Sequence, residues 1–171
     1  IKLTSCYMKH VIQIHLEYKT DVIRNIEIPS EKSLEDLHYI IIESLELDKN
    51  EMASFYMTNE EFELLQEIPL FKIDEKDNSM LDMSEITIAS VFPNINSQLI
   101  YVYDFLKMWR FLISYINETK SKSEKIKVIN SIGKMPKEAP EIIFKAEKEF
   151  DPFDDAFKNF DEDFDKLNES E

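Results

Sequence analysis

Two neighbouring runs of alternating apolar residues, at 98–105 and 109–116, constrain the fold of this chain more than any other feature. Side chains two residues apart in a strand point to the same face of a sheet, so each run predicts a strand with one buried face. The residues on these faces are Leu99, Tyr101, Tyr103 and Phe105, and Trp109, Phe111, Ile113 and Tyr115. Because about three residues separate the two runs, they predict an antiparallel hairpin at the centre of a mostly antiparallel sheet.

A second hairpin is predicted near the start of the chain. Residues 11–18 and 23–28 alternate in the same way on either side of a polar turn. Other segments carry weaker signals. They are strands at 52–57 and 64–71, a short helix at 86–92, a polar linker at 117–124, and either a strand or a helix at 125–132.

A helix is predicted to begin after Ser33 and to end near residue 47. The Ser33 hydroxyl can accept a hydrogen bond from the amide of Asp36, and the Asp36 carboxylate can reach back to Ser33. Leu34, Leu37, Ile41 and Leu45 follow at helical spacing and form its apolar stripe. The sequence therefore indicates an α+β fold, a mostly antiparallel sheet with packed helices.

The last part of the chain, residues 150–171, has a different pattern. Asp151 suits the cap of a helix, and Pro152 suits its first position. The apolar residues fall on one helical face, with Asp and Glu dense on the others: Phe150, Phe153, Phe157, Phe160, Phe164 and Leu167. We therefore divide the chain into a domain at 1–149 and an acidic amphipathic C-terminal helix or tail at 150–171. This stripe must pack on something, either on its own domain or in the groove of a partner.

Charge and glycine content argue against several function classes. The chain has 35 Asp and Glu against 20 Lys and Arg, a net charge of -15, which repels nucleic acid. Its arginines are Arg24 and Arg110, too few for a phosphate-gripping cluster. The single glycine, Gly133, excludes glycine-rich phosphate loops, so no nucleotide cofactor is expected.

Cysteine and histidine content bounds the compartment and the metal chemistry. A lone cysteine, Cys6, fits a reducing cytoplasm, and we expect neither a signal peptide nor a membrane span. His10, His15 and His38 do not have the spacing of metal ligands, because a strand would point the first two to opposite faces. His38 is expected to be a packed or capping residue. No catalytic, cofactor-binding or metal-binding residue is assigned.

Several motifs together resemble one protein family. They are Ile-Arg-Asn-Ile-Glu-Ile-Pro at 23–29, Leu-Glu-Asp-Leu-His at 34–38, Met-Ala-Ser-Phe at 52–55, Tyr-Val-Tyr-Asp-Phe at 101–105 followed by Trp109 and Arg110, and Phe-Asp-Pro at 150–152. In this order they resemble the plasmid pRiA4b ORF-3-like family, whose bacterial members are also described as TnpR-type passenger proteins of insertion elements. The resemblance implies an α+β domain with a mostly antiparallel sheet, and it implies no established activity.

The chain departs from the common pattern of this family at the central turn. The family often reads Asp-Phe-Gly-Asp-Ser-Trp-Arg-His, and here Leu106, Lys107, Met108 and Phe111 stand in the Gly, Asp, Ser and His places. Since the glycine place is filled, we expect an atypical turn at Leu106 and Lys107. A function carried by the polar turn of the family would not be kept here.

The function hypothesis that follows is a cytoplasmic, non-enzymatic domain that binds an unknown protein partner. The alternatives are an accessory protein in DNA transactions of a mobile element, which rests on the family resemblance alone, and an enzyme with an unrecognised site. Asp104 and Arg110 flank the same turn and are expected to pair as a structural contact. The candidate interaction residues are Arg24, Asp104, Trp109, Arg110, Phe153, Phe157, Phe160 and Phe164.

Overall fold

A single seven-stranded sheet organises the protein. The computed structural model describes residues 5–141, so the predicted helix or tail at 150–171 lies outside the described residues. The strands are β1 (Tyr7–Leu16), β2 (Ile23–Pro29), β3 (Ala53–Met57), β4 (Glu67–Pro69), β5 (Gln98–Tyr103), β6 (Trp109–Ser121) and β7 (Lys127–Ile132). Their order across the sheet is β4-β3-β5-β6-β1-β2-β7, and every neighbouring pair is antiparallel. With helices α1 (Leu34–Ser44) and α2 (Ile88–Val91) and a 3-10 helix (Met83–Glu85), this is the predicted α+β class.

The central hairpin is confirmed, since β5 and β6 pair in the middle of the sheet. Along β6 the alternation is as predicted, with Trp109, Phe111, Ile113 and Tyr115 all buried. β5 differs, because Ile100 and Val102 on its second face are buried as well. Phe105, which was expected to continue the buried face of β5, lies beyond the end of the strand and is exposed.

Helix α1 covers one face of the sheet. Leu34, Leu37 and Ile41 are fully buried and belong to the same apolar cluster as the inward side chains of the central strands. The predicted capping box is present, with Ser33 and Asp36 exchanging hydrogen bonds of 3.1 and 3.0 Å. The helix ends at Ser44, earlier than predicted, and Glu46 then takes a left-handed conformation with φ of 55° that cannot continue a helix.

The predicted polar linker at 117–124 is wrong for its first half. β6 continues to Ser121 because its backbone pairs with the start of β1, where Val11 lies opposite Asn117 and Tyr7 lies opposite Ser121. Backbone pairing does not require apolar side chains, so a strand made of polar residues gave no alternating signal. The ambiguous segment at 125–132 contains a strand, β7.

The two edges of the sheet differ in length and composition. β4 has three residues and ends at Pro69, which has no N–H to offer another strand. β7 has six residues, and all of them are exposed. Within residues 5–141, no helix combines the length and the apolar character needed to cross a membrane.

Candidate functional site

The connection between β5 and β6 is a turn organised by Asp104. The Asp104 N–H donates to the carbonyl of Met52 at 2.9 Å, which ties the turn to the chain entering β3. Its carboxylate accepts from the backbone N–H groups of Leu106 at 3.1 Å and Lys107 at 3.2 Å. The N–H of Met108 then donates to the Asp104 carbonyl at 2.6 Å. The N–H groups of Asp104, Leu106, Lys107 and Met108 therefore all have acceptors, and Asp104 itself is buried.

The left-handed residues of this turn are Asp104, with φ of 57°, and Met108, with φ of 54°. We expected the unusual conformation at Leu106 and Lys107, and the structure places it at the two flanking residues instead. Aspartate tolerates this conformation because its short carboxylate can bond to nearby backbone groups, as it does here. The side chain of Met108 makes no such hydrogen bond, so its left-handed conformation is strained. A glycine at this position would not be strained.

Four apolar side chains are exposed around the turn, and we call them the hairpin knob: Met52, Phe105, Leu106 and Met108. Leu106 is the extreme case, with 91% of its surface exposed, and the other three lie between 37% and 45%. Single exposed apolar residues are common on protein surfaces, but contiguous ones mark surfaces that bind. The knob sits on a turn whose backbone is already fixed, so its residues are presented in a defined arrangement.

Carboxylates lie close to the knob. The hydroxyl of Tyr103 donates to the carbonyl of Asp48 at 2.8 Å. Burial raises the pKa of Tyr103 to about 12, and the negative charges of Asp48, Glu51 and Asp104 add to this effect. These three carboxylates therefore lie near the side chain of Tyr103 at the end of β5, and Asp104 among them is buried. The exposed residues Lys49 and Lys107 lie in the same two segments of the chain.

Asp104 and Arg110 do not form the expected pair. Arg110 Nε lies 2.9 Å from Glu17 Oε2, and Arg110 Nη2 donates to the carbonyl of Phe62 in the loop between β3 and β4. Asp104 is instead held by the amides of its own turn. Since Arg110 points to the face of β6 opposite Trp109, it fastens that loop across the sheet and takes no part in the turn.

Trp109 and Arg24 are structural residues in this fold. Trp109 is 5% exposed and lies beside Tyr18, with ring centroids 6.1 Å apart. Arg24 is 7% exposed and donates to the carbonyls of Ser44, Ile23, Ile132 and Gly133 at 2.8 to 3.0 Å. Burial lowers the pKa of Arg24 from its ordinary value. Neither side chain is presented to a partner.

The histidines separate as the strand pattern predicts. His10 is buried and stacks on Tyr115 with ring centroids 3.9 Å apart, whereas His15 is half-exposed beside Asp21. His38 is packed in the core and shares a hydrogen bond of 2.8 Å with the hydroxyl of Tyr101. Within residues 5–141, no three His, Cys, Asp or Glu side chains come together as metal ligands.

One buried charge was missed by the sequence reasoning. Lys9 is fully buried, and its Nζ donates to the carbonyl of Lys125 at 2.8 Å and to Glu27 Oε1 at 3.3 Å. Thr119 also donates to Glu27, at 3.2 Å. The only sequence signal for the position of Lys9 was the strand period, which places it on the same face as Val11 and Gln13.

The remaining predicted interaction residues lie outside the described residues: Phe153, Phe157, Phe160 and Phe164.

Comparison with known proteins decides the family. A model of the plasmid pRiA4b ORF-3-like protein family matches residues 9–164. The chain belongs to this family. A solved structure with a similar fold is the protein of unknown function MM3350 from Methanosarcina mazei Go1. It has a TM-score of 0.56 and 18% identity, with 75% of this chain and 69% of that chain covered. At this identity the likeness shows a shared fold only, and no curated protein matches the chain.

In the described part of this pRiA4b ORF-3-like protein, Arg24, Asp104 and Arg110 have separate partners and do not form one site. Cavities of about 570, 250 and 200 Å³ lie elsewhere, and none of the three is lined by Asp104, Arg110 or His38. The residues that sequence reasoning placed at the turn therefore build and brace a hairpin. What the hairpin presents to solvent is the knob.

Proposed function

We propose that this pRiA4b ORF-3-like protein is a non-enzymatic interaction domain, and that the hairpin knob inserts into an apolar pocket with a basic rim on a partner protein. The observation that carries the proposal is Leu106, which is 91% exposed at the tip of a turn fixed by Asp104. A leucine on such a turn adds nothing to the core of its own domain.

The knob has the features of a binding anchor. Fully burying a leucine, phenylalanine or methionine side chain is worth roughly 1.5–3 kcal/mol. A turn whose backbone is already ordered loses little entropy on binding, so more of this gain is kept as affinity. At protein interfaces a few residues near the centre carry most of the binding energy.

The charge around the knob defines the partner. Asp48 and Glu51 are exposed next to it, as are Lys49 and Lys107, and the chain as a whole carries a net charge of -15. Acidic surroundings favour encounter with a positively charged surface and disfavour another acidic one. We therefore propose that the partner has a pocket lined by apolar residues and rimmed by Lys or Arg.

We propose the cytoplasm as the compartment, since the lone cysteine, Cys6, is an exposed free thiol.

The alternative role in DNA transactions has weaker support. Of the two arginines, Arg24 is buried and Arg110 is paired with Glu17, so neither is available to grip a phosphate. Among residues 5–141, the exposed lysines at 120–137 favour contact with an anion.

The test uses the full chain as bait in three forms: wild type, Leu106→Ser and Leu81→Ser. Leu81 is the matched control, an exposed leucine outside the knob at 49% exposure. Both substitutions should change the free energy of unfolding by no more than about 0.5 kcal/mol, which thermal melts check. A partner identified by mass spectrometry should be retained by wild type and Leu81→Ser and lost by Leu106→Ser.

Calorimetry with the purified partner then measures the affinity. Leu106→Ser should weaken binding about tenfold or more, as expected for a central apolar anchor, and added salt should weaken binding further because the rim is charged. Equal affinity of Leu106→Ser and wild type for every captured protein would reject the proposal.

A further inference from the structure

The strand β7 is held at the edge of the sheet although it contributes little to the core. All six of its residues are exposed, including Val128, Ile129 and Ile132 at 39%, 50% and 45%. One side of β7 pairs with β2, and within residues 5–141 its other side pairs with no strand. A strand with so few buried contacts would ordinarily fray at both ends.

Two buried cations hold the ends of β7. Just before the strand, Lys9 Nζ donates to the carbonyl of Lys125 at 2.8 Å. At its end, Arg24 donates to the carbonyls of Ile132 and Gly133, each at 2.9 Å. Breaking either set would leave a buried cation without its acceptors, which is costly. The edge is therefore fixed in an extended conformation before anything binds to it.

The same edge is basic in a chain that is otherwise strongly acidic. Residues 125–137, which contain β7 and the chain on either side of it, have four exposed lysines and no acidic residue, although Glu124 and Glu138 flank them. These lysines are Lys125, Lys127, Lys134 and Lys137. None of them takes part in the ion pairs found among residues 5–141. We call β7 with these four lysines the lysine edge.

We propose that the lysine edge binds an extended acidic peptide segment of a partner protein, which adds to the sheet as a further strand beside β7. The exposed N–H and C=O groups of β7 would pair with the backbone of the segment, as in other cases of strand addition to a sheet edge. The lysines select acidic side chains. This binding site is separate from the hairpin knob and does not depend on it.

Two other occupants fit the lysine edge less well. A second copy of the chain would bring two rows of lysines together, which costs free energy through like-charge repulsion. Nucleic acid would use the lysines but leave the backbone groups of β7 unpaired, and the edge has no exposed arginine to grip a phosphate. An acidic strand would pair with the backbone groups of β7 and also place carboxylates near the lysines.

The test measures binding of the full chain to fluorescent probes by anisotropy. The probes are a peptide of about ten residues that alternates Val and Glu, the same peptide with Lys in place of Glu, the Val-Glu peptide with two prolines that prevent strand pairing, and a single-stranded oligonucleotide. The Val-Glu peptide should bind about tenfold more tightly than either control peptide, since it alone offers both the charge and the pairing. Its binding should slow amide hydrogen exchange across residues 127–132.

Variants locate the site. The double variant Lys127→Glu/Lys134→Glu should weaken binding of the Val-Glu peptide about tenfold by reversing two charges of the edge, with an unchanged melting temperature. Lys76→Glu, at an exposed lysine in the loop after β4, is the matched control and should bind like wild type. Binding of the oligonucleotide but not of the acidic peptide would overturn the proposal in favour of nucleic acid. No binding of any probe would also overturn it, and would leave the lysines as protection against edge-to-edge aggregation.

Discussion

Three buried polar side chains, Lys9, Arg24 and His38, show how single residues stabilise this fold in different ways. The cations of Lys9 and Arg24 are satisfied by backbone carbonyls at the two ends of β7. His38 is satisfied on one side only, by the hydroxyl of Tyr101, and its Nε2 atom has no partner within residues 5–141. A buried imidazole with one free nitrogen has no means of stabilising a proton, so it remains neutral.

Acid should destabilise the protein through His38. Burial lowers the pKa of His38 from 6.5 to about 4, so between these pH values the unfolded chain binds a proton that the folded chain does not. The free energy of unfolding should therefore fall as the pH drops from 6.5 to about 4 and then level off, with a total loss of at most about 3 kcal/mol.

Urea denaturation between pH 7 and about 4 measures this effect. Carboxylates also titrate in this range, so the informative quantity is the difference between wild type and His38→Gln, which lacks the titrating ring. The pH dependence should be shallower in His38→Gln than in wild type. Equal slopes for wild type and His38→Gln would contradict the assignment.

The turn between β5 and β6 depends on the side chain of Asp104. Asp104→Ala removes the acceptor for two backbone amides and places an alanine in the left-handed conformation, so the free energy of unfolding should fall by about 1–3 kcal/mol. Asp104→Asn keeps a side-chain oxygen and tolerates this conformation, so its loss should be clearly smaller. Chemical denaturation compares the two variants, and equal losses would show that the turn does not depend on these hydrogen bonds.

The sequence predicted the strands that alternate and missed those that do not. In β6 the residues from Trp109 to Tyr115 alternate because one face packs on the core, and this pattern is visible without a structure. The stretch from Asn117 to Ser121 is equally a strand, but its partner is the start of β1 and its neighbours Lys9 and Glu27 are charged. Long-range pairing of polar strands leaves no local signal.

The hairpin knob shows a second limit of predicting burial from the sequence pattern. Phe105 continues the apolar alternation of β5, so the pattern assigns it to the core, but the left-handed conformation of Asp104 ends the strand at Tyr103, two residues before Phe105. The sequence also predicted a contact between Asp104 and Arg110 at this turn, and that contact does not form. Whether an apolar side chain at a turn is buried or presented to solvent depends on tertiary contacts that the period of a strand does not encode.

For the protein as a whole, the distribution of charge matters more than its sum. The net charge is -15, yet four lysines lie in or beside β7 at one edge of the sheet, while Asp48 and Glu51 lie near the knob. A uniformly acidic surface would favour solubility alone. Charges of opposite sign at the knob and at the edge of the sheet instead agree with the two partners proposed above. The partner of the knob would have a basic rim, and the partner of β7 would have an acidic extended segment.

The most direct measurement of the central claim is site-specific photo-crosslinking of the full chain in cells of the organism that encodes it. A photoreactive residue replaces Leu106 in one variant and Leu81 in another, since both side chains are exposed and only Leu106 belongs to the hairpin knob. The account predicts a discrete crosslinked protein at position 106 that is absent at position 81. The same crosslinking pattern at both positions, or no adduct at position 106, would contradict an interaction through the knob.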